Sequence, residues 1–370
     1  VLLQSADSTQ PTFSDLVRAY FDCRKAKRNS RSALAFELHL ERNLIGLYDE
    51  LIDGSYQPGR SICFVVTQPK PREVWAADFR DRVVHHLLYN HISERFHAGF
   101  IADSCACIPG RGTLYAAKRL ESKVRSITEN WSRSAFYMKG DLSNFFVSID
   151  KRIVLQLLAR RVTEPWWLAL TDMILMHDPR TDFELRGDPG LISLVPAHKR
   201  LQNADEYHGL PIGNLSSQFF ANVLLDRLDQ FVKHQVGARH YVRYVDDFVI
   251  LHESPQWLNV ARAQIETKLA ELDMQLNPRK TFIQPIDRGI DMVGQVIKPW
   301  SRTTRRRTYR QAIDRVAHID AADLLETANS YFGLLGQASS SHHDRCRLAN
   351  ALRRRGMCIS MDIRKTYRKP

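Results

Sequence analysis

No run of this chain is apolar for long enough to span a bilayer, and its opening residues lack the zones of a secretory signal. No membrane partner is expected, and the chain reads as cytoplasmic. Cysteine is sparse: six in 370 residues, at positions 23, 63, 105, 107, 346 and 358, with no CxxC pair. That spacing fits neither a disulfide scaffold nor the usual zinc clip, so free thiols are expected, including the overly tight Cys105-Ala-Cys107. Internal repeats are missing as well. His342, His343 and Asp344 read as a solvated loop rather than as metal ligands, and residues 1–12 as a disordered lead-in.

Negative charge is the scarcer sign, with 41 Asp and Glu against 53 Lys and Arg, for a net +12. The excess is uneven, because residues 301–370 hold fifteen Lys and Arg but six Asp and Glu. Arginine clusters at 305–307 and 353–355, with a further basic group at 364–369, point to phosphate backbones. An anionic membrane surface would call for a broad Trp/Phe/Leu face that these clusters lack.

Helical periodicity runs from about Ser14 to Leu51, interrupted by a basic surface turn, and a strand pair follows in SICFVVTQPKPREV. Helices are expected from Asp78, after IPGRGT, over SSQFFANVLLDRLDQFVKH, from Pro255 to Leu272, and around 312–338 and 344–355. AFYMKGD reads as a strand ending at Asp141, before a helix capped by Ser148 or Asp150. The stretch 178–210 reads as one long irregular loop.

The segment YVRYVDDFVI sets Asp246 and Asp247 side by side in β-prone surroundings. A plain strand would bury one carboxylate, so a hairpin turn at the pair is expected, with both at an exposed tip. A turn without chemistry is one reading. The other is a divalent-cation site, because metal-assisted phosphoryl transfer needs carboxylates converging from separate elements, and Asp141 supplies a third.

DLSNFFVSID, GLPIGNLSSQFFAN, YVDD, LNPRKT and GIDMVGQVI together, in this order, resemble the motifs of the reverse transcriptases, over roughly residues 45–340. The resemblance implies an α+β right-hand polymerase: fingers over 13–135 with part of the palm, a palm with an antiparallel sheet over 136–300, and a short, basic, helical thumb and tail over 301–370. It implies that Asp141 and Asp246, helped by the Leu142 carbonyl and by Asp247, hold two magnesium ions, or manganese in their place. Lys70 and Arg72 would grip the triphosphate from one face of a strand, the alternative being a solvated edge. Phe146 would exclude a 2′-hydroxyl, the alternative being a core ring like Phe145. Lys280 would lie near the leaving pyrophosphate.

Ile212 and Gly213, with Gln218, stand where many members have Gln-Gly before x-x-x-Ser-Pro, which predicts looser policing of the base pair. This variant resembles the enzymes of diversity-generating retroelements and of bacterial defence systems. Tyr244, Met292, Val293 and Gly294 would meet the primer, Tyr244 alternatively serving as packing. Arg305, Arg306, Arg307, Arg353 and Arg354 would meet the template–primer backbone. The implied partners are an RNA template or non-coding RNA, a DNA primer and product, dNTPs, and an accessory protein as a candidate. The role favoured is antiphage defence with a dedicated RNA, the alternative an error-prone retroelement enzyme. A DNA-templated or template-free polymerase and an inactive RNA-binding scaffold are the remaining rivals.

Overall fold

The computed structural model describes residues 10–25, 30–68 and 70–368. The chain divides into two units, each assembled from three stretches. The first comprises Val1–Ala102, Leu142–Gln235 and Gln264–Asn277, and the second Asp103–Asp141, Val236–Ala263 and Pro278–Pro370. Of the expected lead-in, residues 1–9 lie outside the described residues.

Helix α1 (Phe13–Arg24) starts at a capping box, in which Thr12 accepts from the Asp15 amide while Asp15 accepts from the Thr12 amide. Its Leu16, Ala19, Tyr20 and Cys23 recur at helical spacing and are all buried. Helices α2 (Arg31–Glu37) and α3 (Leu40–Asp53) follow, and α3 stops at Gly54 in the left-handed conformation. Strands β1 (Ser61–Val66) and β2 (Arg72–Ala76) pair antiparallel, as the sequence predicts. Lys70 is a correction: it lies in a bend before β2, so it and Arg72 do not share one strand face. Helix α4 (Phe79–His97) is capped by Asp78, where it was expected to begin.

Helix α5 (Thr113–Ile127) and strand β3 (Phe136–Asp141) come next, and the strand ends on the predicted aspartate. After a single turn, α6 (Phe145–Ser148), helix α7 (Lys151–Ala159) is capped by Asp150, and α8 (Pro165–Met176) follows. The stretch 178–210 is not structureless: strand β4 (Phe183–Leu185) adds parallel to β1, and three short 3-10 turns lie between Pro189 and Asn203. Cys63 and Trp75 draw this segment in, packing with Leu201 in a small core that Phe183 and Leu185 cover. Helix α9 (Leu215–His234) buries Phe219, Phe220, Leu224, Leu225 and Leu228.

Strands β5 (His240–Tyr244) and β6 (Asp247–His252) form the expected hairpin, and helix α10 spans Pro255–Ala270. Strands β7 (Phe282–Pro285), β8 (Ile290–Met292), β9 (Gln295–Lys298) and β10 (Ser301–Thr304) follow. The last helices are α11 (Arg306–His318), α12 (Ala321–Gly336) and α13 (His342–Arg354). His342, His343 and Asp344 thus open a helix; the expected loop there is corrected.

In the second unit a four-stranded antiparallel sheet has the order β5-β6-β3-β7. One of its faces packs Tyr137, Val242, Val249 and Leu251 against Ala116, Leu120 and Val124 of α5 and against Ile290, Met292 and Ile297. Helices α11 to α13 have a core of their own, formed by Val316, Leu324, Ala328, Phe332, Leu335, Leu348 and Leu352. Among the described residues the cysteines form no disulfide. Among the described residues no helix is long and apolar enough to cross a membrane.

Candidate active site

Register decides which side chains meet at the end of the four-stranded sheet. Asp141 of β3 lies opposite Asp247 of β6, which lies opposite Tyr244 of β5. Directly opposed residues share a face, so these three form one row. The row behind it, Gly140, Phe248 and Arg243, faces the other way. Glycine at 140 is a steric requirement, since a Cβ there would stand 2.2 Å from the Phe248 ring.

The hairpin loop is Val245-Asp246, and Asp247 is already the first residue of β6. The expectation that both carboxylates sit at an exposed tip is therefore corrected: Asp246 is in the turn, while Asp247 is half-buried beside Asp141. Val245 takes a φ of +54°, the positive value that a two-residue hairpin needs at its first loop position, although a β-branched residue resists it.

Electrostatically the row is crowded. Asp141 is 4% exposed, and its Oδ2 accepts from Lys280 Nζ at 2.5 Å. The Asp247 carboxyl is pushed up to about 6, first by burial and then by Asp246 and by the hydrogen bond and charge of Asp141. Lys139 opposes that shift from 3.9 Å while donating to the Asp291 carbonyl at 3.0 Å. Carboxylate oxygens are hard donors of the kind that suit divalent cations, whose charge would favour the ionised form of Asp247 against its burial. Lys139 was missed in the sequence, where it reads as an ordinary polar residue in AFYMKGD. Lys280, expected near the pyrophosphate, serves here as the counter-ion of Asp141.

Leu142, the expected carbonyl ligand, is buried and forms a β-bridge with Leu276. Tyr244 is half-buried against the sheet core, and so is Val293. Met292 is buried within that core. Val293 and Gly294 both take positive φ, +48° and +81°, and turn β8 into β9. Arg305 gives its guanidinium to Asp291 at 2.5 Å, whereas Arg306, Arg307, Arg353 and Arg354 are exposed.

The remaining expected residues belong to the first unit. Phe145 is buried and Phe146 half-buried, and the Phe146 carbonyl accepts from the Leu210 amide at 2.7 Å. Ile212 and Gly213 lie against β2, the Ile212 carbonyl accepting from the Trp75 amide at 2.8 Å. Gly213 has φ +136°, and a Cβ there would meet Val74 at 3.0 Å. Gln218 is exposed on α9, Lys70 is exposed, and Arg72 is exposed at the start of β2. Asp150, His208 and Asp273 also bring possible ligand atoms within 4.8 Å of one another. Their bonds are already made, Asp150 to Arg152 and His208 to Asp205 and Asp273, which makes the group a clamp between segments.

The family described as "Reverse transcriptase (RNA-dependent DNA polymerase)" matches residues 68–297, more than half of the chain. The chain belongs to the reverse transcriptase family. This reverse transcriptase is an RNA-directed DNA polymerase, and its mixture of helices with an antiparallel sheet fits the right-hand polymerase fold. It is similar to Protein YkfC of Escherichia coli (strain K12), 23% identical over 314 residues that cover 74% of each chain. Among solved structures it is similar to telomerase from Candida albicans, determined with a TWJ fragment of telomeric RNA. That match has 10% identity and a TM-score of 0.49, and covers 80% of this chain and 55% of the telomerase chain.

Proposed function

We propose that this reverse transcriptase extends a DNA primer on an RNA template by two-metal nucleotidyl transfer, with Asp141, Asp246 and Asp247 as its carboxylates. The supporting observation is the sheet end itself, where register sets Asp141 opposite Asp247 next to the Asp246 turn, and where burial first, then Asp246 and Asp141, push Asp247 up to about 6. Two magnesium ions bound there would supply activation of the primer 3′-hydroxyl and neutralisation of the leaving pyrophosphate. Asp141 and Asp246 would hold the cations, with the Leu142 carbonyl assisting. Lys280, which here donates to Asp141, would have its three donors within reach of the pyrophosphate oxygens were Asp141 engaged by a cation. Lys70 and Arg72 grip the triphosphate, Arg72 with a planar fork. Phe146 excludes the 2′-hydroxyl, and Ile212 and Gly213 flank the base pair. Tyr244, Val293 and Gly294 seat the primer end, and the arginines of α11 and α13 hold the duplex backbone.

Asp246→Asn is expected to lower primer extension by at least about a hundredfold, because carboxylate charge is lost at the metals. RNA affinity in a filter-binding titration should stay within about twofold, since phosphate contacts lie elsewhere. Near-normal extension by this variant would end the assignment.

For biological role we favour antiphage defence with a dedicated non-coding RNA. The support is the 178–210 segment together with DLSNFFVSIDK, both of which resemble stand-alone members of the family. Purifying the protein with its cellular RNA and sequencing both that RNA and the DNA made on it tests the role. One dominant structured RNA supports defence, and DNA copied from one member of a template/variable repeat pair supports a retroelement instead.

A further inference from the structure

Strand β5 carries an arginine where packing alone would want an aliphatic residue. Tyr241 and Val242 are fully buried, and Arg243, at 1% exposure, is among the largest fully buried side chains in the protein. A buried guanidinium is costly to desolvate, so its retention asks what its donors do. One of them, Nη1, donates to the Val245 carbonyl at 3.0 Å, and Nη2 donates to Ser104 Oγ at 2.8 Å. Val245 is the loop residue forced to φ +54°, next to Asp246. A β-branched residue is strained in that region and persists there only where its surroundings impose it.

The anchor at the other end of the guanidinium is built as firmly. Residues 103–105 run along the free edge of β5, the Arg243 amide donating to the Asp103 carbonyl and the Cys105 amide to the Arg243 carbonyl. Asp103 is 4% exposed and ion-paired to Arg119 and Lys123 of α5. Arg111 donates to the Ser104 carbonyl at 2.7 Å. The connection from α5 to the loop is thus continuous: Arg119 and Lys123, then Asp103, then Ser104, then Arg243, then Val245.

We propose that Arg243 is a positioning residue, whose guanidinium, seated on Ser104, holds the Val245–Asp246 loop in its left-handed turn and so fixes where Asp246 presents its carboxylate. This rests on the reading of Asp246 as a metal-holding residue. Arginine suits the task because its planar fork reaches the carbonyl and the hydroxyl at once, which a lysine ammonium on one flexible stem does less well.

The test uses the full chain with Arg243→Met, Arg243→Lys and Ser104→Ala, each beside Asp246→Asn. Three quantities are read: amide hydrogen exchange over 241–250, manganese affinity of the nucleotide-free protein by electron paramagnetic resonance, and the magnesium dependence of primer extension. For Arg243→Met the expectation is faster exchange confined to the hairpin loop and manganese affinity weakened about fivefold or more. The half-saturating magnesium concentration should rise by a similar factor, with RNA affinity within about twofold and partial recovery in Arg243→Lys. Ser104→Ala should shift the same readings by about two- to threefold. Unchanged loop exchange and metal affinity in folded Arg243→Met overturn the proposal. If that variant does not fold, Ser104→Ala decides, and unchanged metal affinity there overturns it. An active Asp246→Asn would instead overturn the site assignment, which separates the two failures.

Discussion

Single atoms set the sheet end. Gly140 has no Cβ because the Phe248 ring occupies that space, and both lie on central strands that cannot move apart without breaking the ladder. Gly140→Ala should therefore destabilise the protein by about 1–3 kcal/mol in urea unfolding, and Phe248→Leu in the same chain should return part of that loss. An unshifted midpoint for Gly140→Ala would mean the two strands yield more easily than their pairing implies. The other single-residue prediction concerns Phe146, half-buried beside the buried Phe145. Phe146→Ala should raise ribonucleotide incorporation relative to deoxynucleotide by about tenfold or more, as a steric wall is removed. Competing incorporation of the two nucleotide types measures it, and an unchanged ratio returns Phe146 to a packing role. At this scale the sequence was legible where a pattern fixes the end of an element, as for the strand that stops at Asp141. It was not legible where geometry depends on loop length by one residue. Asp-Asp does not say which aspartate occupies the turn, and the answer, Asp246, moves Asp247 from an exposed tip to a half-buried strand start.

Elements were legible in proportion to their periodicity and caps. Asp78 and Asp150 announced α4 and α7, and the long apolar stripe of α9 allowed one reading. The stretch 178–210 did not give itself away, because β4 has three residues and forms only by adding to β1, a partner more than a hundred positions earlier. What ties the end of that stretch down is His208. Its Nδ1 lies 2.8 Å from Asp205 and its Nε2 2.9 Å from Asp273, and only the imidazolium can donate from both nitrogens. Burial alone would lower its pKa, but the bonds to Asp205 and Asp273 and the charge of Asp150 hold it above the ordinary value. A histidine raised in this way stabilises fully below its unfolded pKa of about 6.5 and loses that contribution as pH rises through the folded value. His208→Gln should thus cost about 0.5–1 kcal/mol near pH 5.5, the discounted worth of partly exposed pairs, and progressively less toward pH 9. Urea unfolding at both pH values checks it, and a difference that grows with pH would refute the clamp.

Across the whole molecule, charge was the most legible property, and its division of labour the least. A count of arginines in 301–370 cannot say which are already engaged. The structure separates them: Arg305 is held by Asp291, and Arg355 donates to the Val316 and Ile319 carbonyls at the end of α11. Arg306, Arg307, Arg353 and Arg354 are exposed on helices whose shared core lies on their other faces. These four are among the exposed cations that can displace counter-ions from a nucleic acid, with Arg310, Arg315, Arg347, Arg364, Lys365 and Arg368 exposed as well. Replacing all four with glutamine should lower the slope of log affinity against log salt by about three to four on an RNA–DNA hybrid, near one unit per lost phosphate contact. Thermal stability should scarcely change, because no buried partner is removed. Arg305→Gln and Arg355→Gln should do the reverse, lowering the melting temperature while leaving the salt slope within about half a unit. A slope that falls equally for both sets would mean the backbone is gripped by charge density alone, and that the internal bonds of Arg305 and Arg355 do not withhold them from it.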